Sequence, residues 1–185
     1  MSILVKTEWQ LRLARESDVA VLEELIALSA RGLRANYYSA EQIEGALGSV
    51  FGVDQQLIRD GTYFVVQAND ALIGCGGWSK RKTLFGSDHQ TGRDDAKLDP
   101  AKEPARIRAF FIHPDWARRG IARAILDACE RAIRDSGFSK IELAATLPGE
   151  PFYATCGYSA GERYDIPLNN GWPLPVVRMT KSLQG

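Results

Sequence analysis

A mixed α/β sheet flanked by helices, in one layered domain spanning residues 1–185, is the architecture this sequence predicts. Three observations predict it. The chain has 185 residues, enough for one proper core and short for two. Its composition, 45% hydrophobic and 25% charged, is that of an ordinary globular protein and fits neither a disordered nor a fibrous chain. Stretches with strand alternation and stretches with helical spacing follow one another as β-α-α-β-β-β-α-β-α-β-β.

Leu11 and Leu13 alternate with Arg12 and Ala14, which suits a short first strand. Ser17-Asp18 opens a helix with apolar Val21, Leu22, Leu25, Ile26 and Leu28, ending near Arg31-Gly32. A Ser-x-x-Gln capping box, Ser39 to Gln42, starts a second helix that carries Ile43 and Leu47 inward. A shorter helical piece covers Asp54 to Arg59. Thr62 to Ala68 and Ala71 to Ser79 form a hairpin about Asn69-Asp70, and Gly74, Gly76 and Gly77 mark a bulge or a close backbone approach. Lys80 to Pro104 is polar and aperiodic; a loop of that length suggests a lid. Arg106 to Ile112 is a strand, Arg118 to Ser136 a helix with Ile121, Ile125, Cys129 and Ile133 on one stripe, and Gly137 its stop. Lys140 to Ala145 is a strand and Pro151 to Cys156 a short helix. Two last strands, Tyr158 to Tyr164 and Pro175 to Thr180, flank Asn169-Asn170-Gly171.

Twenty-three basic residues balance twenty-three acidic ones, so no overall field points to a nucleic-acid or membrane partner. No run of about 18 apolar residues occurs, which excludes a membrane-spanning helix. Met1 to Lys6 lacks the pattern of a signal peptide, and Cys75, Cys129 and Cys156 lack CxxC spacing; both suit a cytoplasmic protein with reduced thiols. His89 and His113 sit in no ligand cluster, so no metal is expected.

The chemistry is concentrated in Phe110-Phe111-Ile112-His113-Pro114-Asp115-Trp116-Ala117-Arg118-Arg119-Gly120-Ile121-Ala122-Arg123. A strand ends, a short loop turns, and a helix begins among basic residues. Unpaired N–H groups and the positive end of the helix dipole make such a start an anion site. Gly120 and Ala122 leave room for a phosphate to approach the backbone, and Arg118, Arg119 and Arg123 can add charge-assisted contacts. This predicts a phosphate-bearing ligand without naming it.

The stretch resembles the acyl-CoA signature of the GNAT acetyltransferase superfamily, Gln/Arg-x-x-Gly-x-Gly/Ala after a strand ending apolar-x-Pro. Gly120 and Ala122 fill the small positions and Ile112-His113-Pro114 matches the strand end, whereas the first motif position holds Ala117. Pro151-Phe152-Tyr153-Ala154-Thr155-Cys156-Gly157-Tyr158 is similar to the superfamily's Phe-Tyr-x-x-x-Gly-Phe/Tyr signature, with Pro148-Gly149 where relatives often have Asn. The resemblance runs from about Leu11 to about Thr180. It implies a mixed, mostly antiparallel GNAT sheet and direct transfer from acetyl-CoA to an unidentified amine, a small molecule or a peptide. It implies that Phe110, Phe111 and Ile112 pair with the pantetheine amides and that Ile121 belongs to the pyrophosphate loop. It further implies that Tyr153 protonates the departing thiolate. Many members pair as dimers, and the C-terminal strands could serve that here. Tyr37, Tyr38 and Arg31 sit where relatives build the acceptor side, or form an ordinary helix–loop surface. Trp78 is either hairpin packing or substrate wall. By strand alternation Arg108 shares a face with Phe110 and Ile112, pointing into the pocket, where it would favour an acidic acceptor, or into a charged network. No carboxylate occupies the strand after Glu103 as a base. Transfer of a longer acyl group, or a silent acyl-CoA sensor, are the alternatives.

Overall fold

The computed structural model describes residues 8–33 and 35–183; the N-terminal stretch read above lies outside them. The strands are β1 (Gln10–Leu13), β2 (Tyr63–Ala68), β3 (Ala71–Ser79), β4 (Ala105–Ile112), β5 (Lys140–Thr146), β6 (Ser159–Pro167) and β7 (Pro173–Ser182). The helices are α1 (Val19–Leu33), α2 (Ala40–Ala46), α3 (Gln55–Arg59), α4 (Ile121–Asp135) and α5 (Glu150–Thr155). Seven strands form one sheet in the order β1-β2-β3-β4-β5-β7-β6. Neighbours run antiparallel except β4 and β5, which are parallel and joined through α4, the crossover that parallel pairing demands.

The two faces carry separate apolar clusters. On one, the α4 stripe Ile121, Ile125, Cys129 and Ile133, each no more than 1% exposed, packs on Ile73, Ile107, Ile141 and Leu143. A Schellman pair ends that helix: Gly137 N donates to Arg134 O (2.9 Å) and Phe138 N to Ile133 O (3.2 Å), with Gly137 at φ +88°. On the other face Leu22, Leu25 and Ile26 of α1, Ile43 of α2 and Leu57 of α3 pack on Val65, Phe111 and Val176. The capping box of α2 is present in both directions, Gln42 N to Ser39 Oγ and Ser39 N to Gln42 Oε1.

Three expectations change. Val21 and Leu28 are 47% exposed, because α1 is apolar nearly all round and only the arc through Leu22, Leu25, Ile26, Ser29 and Ala30 meets the sheet. Helix α4 begins at Ile121 rather than Arg118, since Arg118 (φ +60°) and Gly120 (φ +81°) are left-handed. The stretch 80–104, read as aperiodic, is a folded excursion with backbone pairing of its own. Lys82 N donates to Ala96 O (3.0 Å), Thr83 N to Asp94 O (2.9 Å) and Leu98 N to Lys80 O (2.8 Å). Asp88 N reaches Val53 O at 3.1 Å, and Arg81 ion-pairs with Asp60 at 2.7 Å.

Candidate active site

The site follows from a break in the sheet. Pairing between β4 and β5 is confined to Ala105–Ile141 and Arg106–Glu142, and beyond these the strands part. A cleft of about 620 Å³ occupies the gap and continues to both faces of the sheet. At the same level β4 is bulged: Cys75 pairs with Phe111 and Gly77 with Arg108, so β4 spends three residue steps where β3 takes two. Ala109 absorbs the extra residue at φ +57°. Two neighbours hold it there. The buried Tyr63 hydroxyl donates to Ala109 O at 3.0 Å, its own ionisation suppressed chiefly by burial. Gly76 lies beneath the Phe110 ring, where an added Cβ would come within 2.7 Å of it.

The bulge overturns the alternation expected of this strand. Ile107, Phe110 and Ile112 join the α4 cluster, whereas Ala109 and Phe111 join the opposite one. Arg108 therefore does not share a face with Phe110 and Ile112. Its side chain is 2% exposed and lies in a charged network: Nη2 meets Asp54 Oδ2 at 2.9 Å, and Nη1 donates to Thr83 O at 3.1 Å. Asp54 also takes Arg93 at 3.3 Å and caps α3 by accepting from Gln56 N at 3.0 Å. The Ile112 amide, expected to pair with pantetheine, donates to Ser29 Oγ of α1 at 3.2 Å.

On the α4 side the cleft reaches a helix start left open. His113 Nδ1 accepts from Asp115 N at 3.1 Å, closing a single 3-10 turn over Pro114–Trp116. The chain then swings through Ala117 and Arg118 to Gly120, the N-cap of α4, which has no side-chain cap. The first helical bond of the turn is Ala124 N to Gly120 O at 3.0 Å. An uncapped first turn presents its N–H groups outward. Arg118, Gly120, Ile121, Ala122 and Arg123 line the cleft. Arg119 stacks over Trp116, 4.8 Å from the ring centroid. Gly120 is required for its backbone angle rather than for closeness, since open space surrounds the position a Cβ would take.

Tyr153 of α5 faces the same gap, 8% exposed. Its ring sits edge-on to Phe110 (6.1 Å) and Tyr158 (5.6 Å). The Tyr158 hydroxyl donates to Glu130, which also takes Lys181 at 2.8 Å, so the aromatic stack rests on a bonded base. The three thiols are buried, and burial pushes that of Cys129 up, away from nucleophilic use.

On the opposite side the cleft is walled by Leu33, Tyr37, Val50, Phe51, Leu84 and Phe85, with Ile166 and Val176 contributed by β6 and β7. Of these only Tyr37, 52% exposed at the mouth, was expected from the sequence. Leu84 and Phe85 fall in the 80–104 stretch, whose length alone drew attention to it. Ser29, Phe51 and Val176 carried no local signal; the fold assembles them. Arg31 pairs with Glu44 on the surface, and Tyr38 is structural, donating to Pro175 O at 2.7 Å and accepting from Leu147 N. Trp78 is corrected: it is 4% exposed and packs edge-on against Phe138, outside the cleft. No helix is long and apolar enough to cross a membrane, and no cluster of potential metal ligands occurs, among the described residues.

The family model for the acetyltransferase (GNAT) family matches residues 27–158. The chain belongs to the GNAT acetyltransferase family. No curated protein matches the sequence. Among solved structures this GNAT chain is similar to a GCN5-related N-acetyltransferase from Rhodopseudomonas palustris. The two are 22% identical with a TM-score of 0.71, over 98% of this chain and 100% of that one. It is also similar to the PaiA N-acetyltransferase from Thermoplasma acidophilum, solved with coenzyme A (15% identity, TM-score 0.63, 94% and 98% covered). N-acetylglutamate synthase from Neisseria gonorrhoeae, solved with coenzyme A and N-acetyl-glutamate, is 14% identical with a TM-score of 0.61; the match covers 97% of this chain and 36% of that one. The GNAT fold, a mixed and mostly antiparallel sheet flanked by helices, is thus the fold of this protein.

Proposed function

We propose that this chain transfers the acetyl group of acetyl-CoA directly to a primary amine. The carrying observation is the uncapped start of α4, opening on the same cleft that Tyr153 faces. In this reading the amides of Gly120 to Arg123 take the pyrophosphate, with exposed Arg118, Arg119 and Arg123 adding charge. The coenzyme A bound by the PaiA and N-acetylglutamate synthase structures supports the choice of donor. The segment Phe110–Ile112 pairs with the pantetheine arm and polarises the thioester carbonyl, the Ile112 amide leaving Ser29 Oγ to do so. The amine nitrogen forms a bond to the acetyl carbon, the C–S bond breaks, Tyr153 gives its hydroxyl proton to the thiolate, and the proton shed by the amine restores the Tyr153 hydroxyl through solvent. Positioning of the two substrates across the gap supplies much of the rate. The test is thiol release from acetyl-CoA over a panel of amines. Tyr153→Phe is expected to lower kcat about 100-fold or more while acetyl-CoA affinity holds. Turnover unaffected by that substitution removes Tyr153 from the mechanism, and absence of acetyl-CoA binding removes the reading altogether.

A further inference from the structure

The far chamber of the cleft differs in chemistry from the end at α4. Its walls are the half-buried side chains of Leu33, Val50, Leu84 and Phe85, backed by buried Phe51. No carboxylate lines the cleft among the described residues. Asp54, which lies behind that wall as the partner of Arg108, is 1% exposed and is taken up by Arg108 and Arg93. A second ammonium on the acceptor would therefore find no counter-ion, and leaving one desolvated there is costly. Arg108 also lines the cleft but gives an acidic acceptor little, because its side chain is 2% exposed, its charge is compensated by Asp54 and its Nη1 and Nη2 also serve the carbonyls of Thr83 and Gly86. The wall is also fixed in place: the ion pairs and the Ser87 N to Ser49 O bond hold Leu84 and Phe85 against the α2–α3 region. What remains for recognition is apolar contact with a ring or alkyl chain, with exposed Tyr37 at the mouth.

We infer that the acceptor is a hydrophobic primary monoamine, an arylalkyl- or alkylamine, whose apolar body fills this chamber and whose amino group points at the β4–β5 gap. The inference rests on the acetyl-transfer reading above. Attack proceeds by the unprotonated amine; Tyr153 protonates the thiolate, and the excess amine proton leaves to water and is returned through solvent to the Tyr153 phenolate, so charge and protons balance. The experiment measures kcat/KM of the full chain with 2-phenylethylamine, an n-alkylamine series, spermidine, kanamycin and a lysine peptide, alongside acetyl-CoA binding by calorimetry. Expected is at least a 100-fold preference for phenylethylamine over spermidine, and a rise of about 3- to 4-fold per methylene along the alkyl series. Phe85→Glu, with acetyl-CoA affinity as its folding check, is expected to shift the preference at least tenfold toward the diamine. Acetyl-CoA binding with turnover favouring spermidine, kanamycin or the peptide overturns the inference and leaves the acetyltransferase reading intact. Acetyl-CoA binding with no turnover of any apolar amine also overturns it. Loss of acetyl-CoA binding altogether would bring down the parent reading and this one together.

Discussion

Asp54→Asn isolates a single charge behind the wall of the cleft, where it pairs with Arg108. The asparagine keeps the shape and the capping oxygen for Gln56 N, so the end of α3 is preserved. What is lost is the anion facing Arg108, whose side chain is 2% exposed and has no other carboxylate within ion-pair distance among the described residues. Breaking a buried pair from one side costs about 3–5 kcal/mol, because an uncompensated charge stays behind. With a urea slope of about 2 kcal/mol per molar, the unfolding midpoint falls by about 2 M. The reverse substitution is not equivalent. Arg108→Met leaves Asp54 with Arg93 at 3.3 Å, and the main loss is the donor to the carbonyls of Thr83 and Gly86, about 1–2 kcal/mol. The double variant removes the lone cation as well as the anion and is expected to be more stable than Asp54→Asn alone, a non-additivity that a double-mutant cycle reads directly. Urea unfolding followed by far-UV circular dichroism, at constant slope, measures all three. A loss below about 1 kcal/mol for Asp54→Asn, or a larger loss for Arg108→Met, refutes the reasoning.

Gly120→Ala meets no neighbour but forces a side chain into φ +81°, so a loss of roughly 1–2 kcal/mol and a Tm lower by about 3–6 °C are expected; an unchanged Tm shows that the turn relaxes. Tyr164 buries a hydroxyl with no hydrogen-bond partner among the described residues, and Tyr164→Phe is expected to be neutral or stabilising by up to about 1 kcal/mol; a destabilisation beyond that reveals a bound partner. The Asp60 carboxyl is held below its ordinary value of 3.8, first by its hydrogen bonds from Arg81. A depressed folded pKa means that the contribution is complete above that value and fades as pH falls below it. Arg81→Gln is therefore expected to flatten the acid limb of a stability–pH curve, and an unchanged limb shows that other carboxylates dominate it.

Local pattern carried most of the fold. Every strand and helix lies within a few residues of its expected place, because caps, turn residues and the α4 stripe are short-range features. The same holds for the α4 side of the cleft, where one contiguous segment, 110–123, supplies the strand end, turn and helix start. Its boundary was misplaced only because two left-handed residues, Arg118 and Gly120, precede the first helical turn. The far chamber was illegible for a different reason. It is drawn from α1, the α2–α3 connection, the 80–104 stretch, β6 and β7, and its residues there have ordinary core chemistry. Trp78 illustrates the converse: an aromatic at a strand end looks like a wall, and packing against Phe138 decides otherwise.

The glycines of β3 signalled an irregularity here, but nothing marked Ala109 of β4 as its left-handed residue, and that residue is what gives the two chambers their different characters. Without it, strict alternation would put Arg108 on the face of Phe110 and Ile112, among Ile121 and Ile125 of the α4 cluster. An unpaired guanidinium there carries an effective penalty of several kcal/mol. A left-handed alanine costs roughly 1–2 kcal/mol, and the Tyr63 hydroxyl bond to its carbonyl offsets part of that. The smaller penalty wins, so Arg108 turns to Asp54 on one side while Phe110 turns to Tyr153 on the other. One strand thereby serves both walls of the cleft, with its charge on the side where a carboxylate is ready for it.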